Sequence, residues 1–209
     1  MPSTTPIKNI VFDFGDIFID LDKEAPLKLM LQTYPNFTLT KEISKLNDAY
    51  EKGEISTPDF VASYKDFLSE ENSETLIHIW NSIILTMPTH RLTFIENLHK
   101  QNKYRLFLLS NTNELHIEQV INNIGFETYT QFKNCFEKFY LSHEIHFRKP
   151  TANIFDFVLR DNAILAEETL FIDDTKEHID TAKSLGFYTW NLIPGKEDVT
   201  SLFEKDFTF

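Results

Sequence analysis

Ile10-Val11-Phe12-Asp13-Phe14-Gly15-Asp16, close to the N-terminus, is the stretch whose reading decides the fold. The run from Ile7 to Phe12 ends in a carboxylate, and a glycine follows two residues later. So short a run of β-branched and aromatic residues reads as a buried parallel strand. In an open α/β sheet, ligands bind where such strands deliver their carboxyl ends. Asp13 is therefore expected at the chemistry-bearing edge, with Gly15 letting a ligand or metal approach the backbone. Taken alone, the tetrapeptide reads equally well as an Asp opening a turn.

The rest of the chain tips that balance. Beyond Pro88, helical and strand-like segments alternate. Helices are expected over 89–101, 114–124, 151–162 and 176–185, and strands over 104–109, 136–141, 170–172 and 187–191. Gly125 and Gly186 stand where helices would stop. Strands separated by helical stretches imply a parallel sheet with right-handed crossovers. Between Lys23 and Met87 no comparable strand appears. Four helical segments are expected there, over 25–33, 41–52, 58–69 and 74–86, with Thr57 and Ser73 as N-caps. Met1 to Pro6 reads as a loose leader and Val199 to Phe209 as a docking segment or tail. The fold class is α/β, a Rossmann-like parallel sheet with an inserted α-helical subdomain.

Composition narrows the function. A chain of 209 residues suffices for one sizeable core and a subdomain. Against 20 Lys and Arg stand 32 Asp and Glu, a net charge of -12, which argues against a nucleic-acid partner. The same charge repels anions at long range, so a phosphate site needs a local cation or metal. The single cysteine, Cys135, suits a reducing compartment and sits in an apolar, packing context. With no signal-peptide pattern and no apolar run of membrane-spanning length, the expectation is a cytoplasmic protein without a membrane partner. The twenty Phe are read as core.

Each strand ends in a polar group. The first delivers Asp13, the second Ser110 and Asn111, and the fourth Asp173 and Asp174, while Arg148-Lys149 lies between the last two. Mg²⁺ takes carboxylate and carbonyl oxygens, which Asp13, Asp173 and Asp174 with a backbone carbonyl can provide. Phosphoryl transfer needs neutralised equatorial oxygens and an in-line nucleophile. Metal and Lys149 meet the first need, and Asp13 meets the second through an aspartyl-phosphate.

These stretches carry a resemblance. Phe12-Asp13-Phe14-Gly15-Asp16, Leu108-Leu109-Ser110-Asn111-Thr112-Asn113, Arg148-Lys149-Pro150 and Phe171-Ile172-Asp173-Asp174 are each weak alone but specific in this order and spacing. From about Ile7 to Leu202 the chain resembles the haloacid dehalogenase superfamily of hydrolases, in the group with a helical cap after the first strand. It is most similar to the branch containing the bacterial alpha-D-glucose-1-phosphate phosphatase. The resemblance implies a core of residues 1–18 and 88–209 and a cap of residues 19–87. It further implies Asp13 as nucleophile and metal ligand, Ser110 and Asn111 as holders of the phosphoryl oxygens, and Lys149 as the bridge between Asp13 and the phosphoryl group. The Gly15 carbonyl and a carboxylate of Asp173-Asp174, with Asp174 favoured, complete the implied Mg²⁺ site.

Two departures stand out. Most phosphatases of this superfamily carry a second Asp two residues after the nucleophile, as general acid and base, where this chain has Gly15. The resembling branch also has glycine there. His178 stands where many relatives carry Asp or Asn. The leading expectation is a Mg²⁺-dependent phosphatase acting on a small phosphorylated metabolite such as a sugar phosphate, as a monomer or weak homodimer. A catalytically weak phosphometabolite-binding protein is the runner-up, with Gly15 its best argument, and a 2-haloacid dehalogenase ranks third. His116, His143 and His146 lack zinc spacing, and only His116 is kept as a substrate contact. Tyr50, Glu51 and Lys52 are kept because the turn before Gly53 can face the site.

Overall fold

The computed structural model describes residues 5–68 and 72–207. Residues 1–4 of the expected leader, Ser69 of the third expected helix, and residues 208–209 of the tail lie outside the described residues. Five parallel strands form one sheet: β1 (Asn9–Phe12), β2 (Arg105–Ser110), β3 (Lys138–Leu141), β4 (Thr169–Asp173) and β5 (Tyr188–Asn191). Their order is β3-β2-β1-β4-β5, so the strand carrying Asp13 is central. Phe12 lies in register with Leu108 on one side and Ile172 on the other. That register brings the ends of three strands to one edge, within two residues of level.

Side-chain alternation splits the strands between two apolar layers. Ile10, Phe12, Leu106, Leu108, Leu170 and Ile172 face the layer covered by α5 (Thr89–Gln101), α6 (Glu114–Ile124) and α7 (Phe126–Lys133). Val11, Phe107, Leu109 and Phe171 face the layer covered by α9 (Ala152–Asn162) and α10 (Lys176–Ser184). Because both faces are buried, the strands read as continuous apolar runs rather than alternating ones. Between β3 and α9 lies the single turn α8 (Ser142–Ile145).

The phenylalanine excess has a definite place. Phe12, Phe18, Phe132 and Phe136 meet mostly edge-on at centroid distances of 5.0 to 6.3 Å. Phe14 stacks on Phe132 at 5.3 Å. Aromatic contacts of this kind contribute about 0.5–1.5 kcal/mol each beyond burial. They pin the loop after β1, and with it the position of Asp13. Cys135 is buried beside this cluster, as its apolar context implied.

Of the helices between β1 and β2, four precede α5 and stand apart from the sheet: α1 (Ala25–Thr33), α2 (Lys41–Glu51), α3 (Thr57–Tyr64) and α4 (Ser73–Asn81). They share their own apolar cluster, which includes Met30, Ile43, Tyr50, Phe60, Tyr64, Leu76 and Ile79, with Leu115 of α6 joining it. Tyr50 stacks on Phe60 at 4.1 Å. The two chain segments linking this region to the sheet run side by side, Asp20 N bonding Thr86 O and Asp22 N bonding Ile83 O at 2.9 Å each.

Several local expectations need correction. The N-caps fall one residue earlier than read, at Ser56 and Asn72, whose side chains accept from Asp59 N and from Glu74 N and Thr75 N. The third and fourth helices are shorter than their apolar spacing implied, ending at Tyr64 and Asn81, and Leu68 joins the same cluster from the turn after the third. Gly125 does end α6, with φ at 85°, but α7 begins immediately and was not anticipated. No helix among the described residues is long and apolar enough to cross a membrane.

Candidate active site

Asp13 follows β1 directly, its N–H bonded to Ile172 O at 2.8 Å, so the sheet ladder fixes its backbone. Lys149, from the loop after α8, is fully buried and points its ammonium into the sheet edge. Its Nζ lies 2.8 Å from Asp13 Oδ1 and 2.6 Å from Asp173 Oδ2. The Lys149 backbone is held by a reciprocal pair: its N–H donates to Asn111 Oδ1, and its carbonyl accepts from Asn111 Nδ2, both at 2.9 Å. Asn111 thus fixes the lysine that joins the two carboxylates.

The acidic pair divides into two roles. Asp173 is buried and accepts from Lys149, from Thr175 N at 2.8 Å and from His178 Nδ1 at 3.0 Å. His178 therefore braces a carboxylate, which suits its place beside the pair. Asp174 is partly open and pairs through Oδ2 with Lys23 at 2.6 Å. Asp13, Asp173 and Asp174 each offer an oxygen, all within 4.8 Å of one another. An all-oxygen carboxylate set of this kind fits a hard divalent cation such as Mg²⁺.

Electrostatics follow from burial. Desolvation pushes the Asp13 carboxyl up to about 7, opposed by the charge of Lys149 and reinforced by Asp173. Asp173 is desolvated too, yet the Lys149 charge and the His178 hydrogen bond hold it low, at about 2. One ammonium between two buried carboxylates cannot satisfy both equally, so the charge gathers on Asp173. Burial depresses Lys149 less than its two acidic partners raise it, and it stays charged.

Around this centre the expected residues distribute unevenly. Ser110 is buried at the end of β2, with Oγ 3.5 Å from the Asn111 carbonyl. Asn113, in the same run, caps α6 and accepts from Trp80 Nε1 at 3.2 Å, tying the insertion to the sheet edge. Gly15, Ser110, Asn111, Thr112, His116 and Glu51 line a cavity of about 110 Å³. His116 uses both ring nitrogens there, toward Asn113 Nδ2 at 3.0 Å and Trp80 O at 3.2 Å, and burial pulls its pKa down to about 4. It is a clamp between α4 and α6 rather than a free group.

Asp16, one residue past Gly15, has φ at 57°, and its carboxylate accepts from Leu21 N and pairs with Lys23 at 2.7 Å. Two residues escaped the sequence reading. Lys23 reaches the acidic cluster from the linker into the insertion. Ser142 is fully buried and its Oγ meets Thr112 N, Thr112 O and Glu51 O. A lone Lys and a lone Ser in irregular segments carry no periodic or motif signal. His143 and His146 bond backbone carbonyls, those of Thr112 and Lys52, and take no part in the acidic cluster.

Comparison with known proteins agrees with this architecture. The profile of the haloacid dehalogenase-like hydrolase family matches residues 10–191. A D-ribitol-5-phosphate phosphatase of Bacteroides thetaiotaomicron is 29% identical over 193 residues, covering 88% of this chain and 91% of that protein. The crystal structure of a haloacid dehalogenase family enzyme from the same organism, a magnesium complex, superposes with a TM-score of 0.85 at 31% identity, covering 96% of this chain and 100% of that one. A haloacid dehalogenase-like hydrolase of Porphyromonas gingivalis superposes with a TM-score of 0.78 at 25% identity, covering 96% and 98%. With the central strand ending in Asp13 and the acidic pair closing β4, the chain belongs to the haloacid dehalogenase-like hydrolase family.

Proposed function

We propose that this hydrolase is a Mg²⁺-dependent phosphatase acting on a small phosphomonoester, a phosphorylated sugar alcohol or sugar, through an aspartyl-phosphate at Asp13. The observation that carries the reading is Lys149 Nζ held between Asp13 and Asp173 beside Asp174 at the edge of the parallel sheet. Similarity to a ribitol-5-phosphate phosphatase along most of both chains supports a polyol or sugar phosphate, with no special claim for glucose 1-phosphate. Residues 19–87 serve as the cap over a core of residues 1–18 and 88–209.

The free oxygen of Asp13 attacks phosphorus in line with the leaving oxygen, while Lys149 holds its partner oxygen and orients the carboxylate. Ser110 through its hydroxyl and Asn111 through its backbone N–H bind the equatorial phosphoryl oxygens from the end of β2, the Asn111 carboxamide being engaged with the Lys149 backbone. Asp13, the Gly15 carbonyl and Asp174 would hold Mg²⁺, with Asp173 ordered beside them by Lys149, Thr175 and His178. When bound, the cation supplies neutralisation of phosphoryl charge. The cap closes the site against water and selects the leaving group.

The test is phosphate release from ribitol 5-phosphate, glucose 1-phosphate and an aryl phosphate, with Mg²⁺ or with chelator. Metal-dependent release that Asp13→Asn lowers by about 10⁴-fold or more is the expected result. A folded protein that binds these esters but turns none over would overturn the reading in favour of a binding protein.

A further inference from the structure

Position 15 raises a question that the rest of the site answers. A Cβ on Gly15 would stand 2.6 Å from Leu21 Cδ1, so any side chain there must push Leu21 aside. Leu21 packs on the main apolar layer and its backbone bridges Ile84. The sheet edge therefore offers no acid two residues past Asp13. Yet an aspartyl-phosphate cycle needs a group to protonate the leaving oxygen and to deprotonate water.

The neighbouring acids and bases are engaged. Asp16 is turned to Leu21 N and Lys23. Lys23 is held between Asp16 at 2.7 Å and Asp174 at 2.6 Å. Both nitrogens of His116 are taken. In the cavity that Gly15 and Ser110 share, Glu51 is the one carboxyl group. Its Oε2 accepts from Arg148 Nε at 2.6 Å, and Oε1 has no partner among the described residues.

Glu51 is also built into place. Its carbonyl accepts from Ser142 Oγ at 2.6 Å, and the Lys52 carbonyl accepts from His146 Nδ1 at 2.8 Å. A Cβ at Gly53 would fall 2.1 Å from His143 O, and φ there is +66°, so the turn lies flat on the segment after β3 only because it is glycine. Arg148, next to Lys149, also meets Asp48 at 3.3 Å. The end of α2 is thus fastened to the loop that carries the site lysine.

We propose that Glu51, from the inserted helices, is the proton-transfer residue that position 15 lacks. This rests on the phosphatase reading above. In the first half-reaction an Asp13 oxygen bonds phosphorus, the bond from phosphorus to the leaving oxygen breaks, and that oxygen takes the proton of the Glu51 carboxyl. In the second, a water oxygen bonds phosphorus, the bond to Asp13 breaks, and the water proton passes to the Glu51 carboxylate, restoring the acid.

The experiment compares wild type, Glu51→Gln and Arg148→Gln with an aryl phosphate and with ribitol 5-phosphate. It follows alcohol release by rapid quench and phosphorylated protein by intact mass. Glutamine keeps an oxygen for Arg148 Nε, so docking of α2 is retained, and circular dichroism checks the fold. With the aryl phosphate, whose leaving group needs no acid, Glu51→Gln should give a burst of one equivalent of alcohol. Phosphoprotein should then accumulate, with turnover down about 10²- to 10⁴-fold. With ribitol 5-phosphate both half-reactions should slow and the burst should vanish. Arg148→Gln should weaken turnover without accumulating phosphoprotein. A Glu51→Gln kcat within about threefold of wild type, or a raised KM with no phosphoprotein, would overturn the proposal. An inactive wild type that never becomes phosphorylated would instead overturn the phosphatase reading itself.

Discussion

The sheet edge and the inserted helices build their share of the site by different means. At the edge, the hydrogen-bond register sets Asp13, just past β1, level with Asp173 of β4 and one residue short of Ser110 of β2. Their positions follow from the ladder, and Lys149 then satisfies two buried carboxylates. The helices bring Glu51 and Trp80 to the same place by side-chain clamps: Arg148 to Glu51, Ser142 to the Glu51 carbonyl, and Asn113 and His116 to Trp80. A register keeps each backbone position whichever side chain is lost, whereas a clamp of a few hydrogen bonds, each contributing about 1 kcal/mol, loosens locally when one member is removed.

The largest expected effect falls at the edge. Lys149→Met leaves Asp13 and Asp173 facing each other without their cation, so urea unfolding should show a loss of about 3 kcal/mol or more, and turnover should disappear. An unchanged unfolding midpoint would mean that the carboxylates do not depend on this lysine.

Acid–base behaviour separates the two regions by sign, measured in chelator so that no metal competes. Asp13 binds its proton more tightly folded, up to about 7, than unfolded near 3.8. It therefore lowers stability as pH rises through that window. His116 resists protonation down to about 4, whereas the unfolded chain takes up the proton near 6.5. It therefore lowers stability as pH falls from about 6.5 to 4, by up to about 3 kcal/mol. The two slopes oppose each other between about 4 and 6.5. Asp13→Asn should leave a stability that rises with pH there, and His116→Gln one that falls. Parallel curves for both variants would break the assignment.

Smaller effects should stay local. Ser142→Ala removes the hydroxyl between Thr112 and Glu51 and should cost about 1–2 kcal/mol. Amide exchange should quicken along 41–64 while 105–110 stays protected. Thr40→Ala removes the hydroxyl that accepts from Ile43 N at 3.3 Å and should cost about 1 kcal/mol, confined to α2. Exchange spreading into β1 would mean that the helices and the sheet open as one unit.

What could be read beforehand follows the same division. Strands buried on both faces are continuous apolar runs, so Ile10–Phe12, Leu106–Leu109 and Leu170–Ile172 announce themselves, and so do the polar residues that end them. Each helix of the insertion was recognisable by its spacing, but its end was not, because residues of the following turn can join the same cluster, as Leu68 does after Tyr64. Helix α7 was missed although Tyr129 and Phe132 are its buried face, because Gly125 gives the preceding helix a clear stop and only eight residues follow in the new one. Glu51 was visible only as part of a turn before a glycine, with no pattern to mark it as facing Ser110.

The sequence by itself determined the alternation of buried strands and helices, the helices inserted after the first strand, and the polar residues that stand at the strand ends. Those features rest on local periodicity and on residue types that have few other uses in such places. Only the tertiary structure decided the strand order, the partnership of Lys149 with Asp13 across 136 residues, the arrival of Lys23 at Asp174, and the placing of Glu51 on the cavity that Gly15 also lines. Contacts between distant segments depend on how the layers pack and on where each helix is stopped by its neighbours, and no local pattern in the chain encodes those distances.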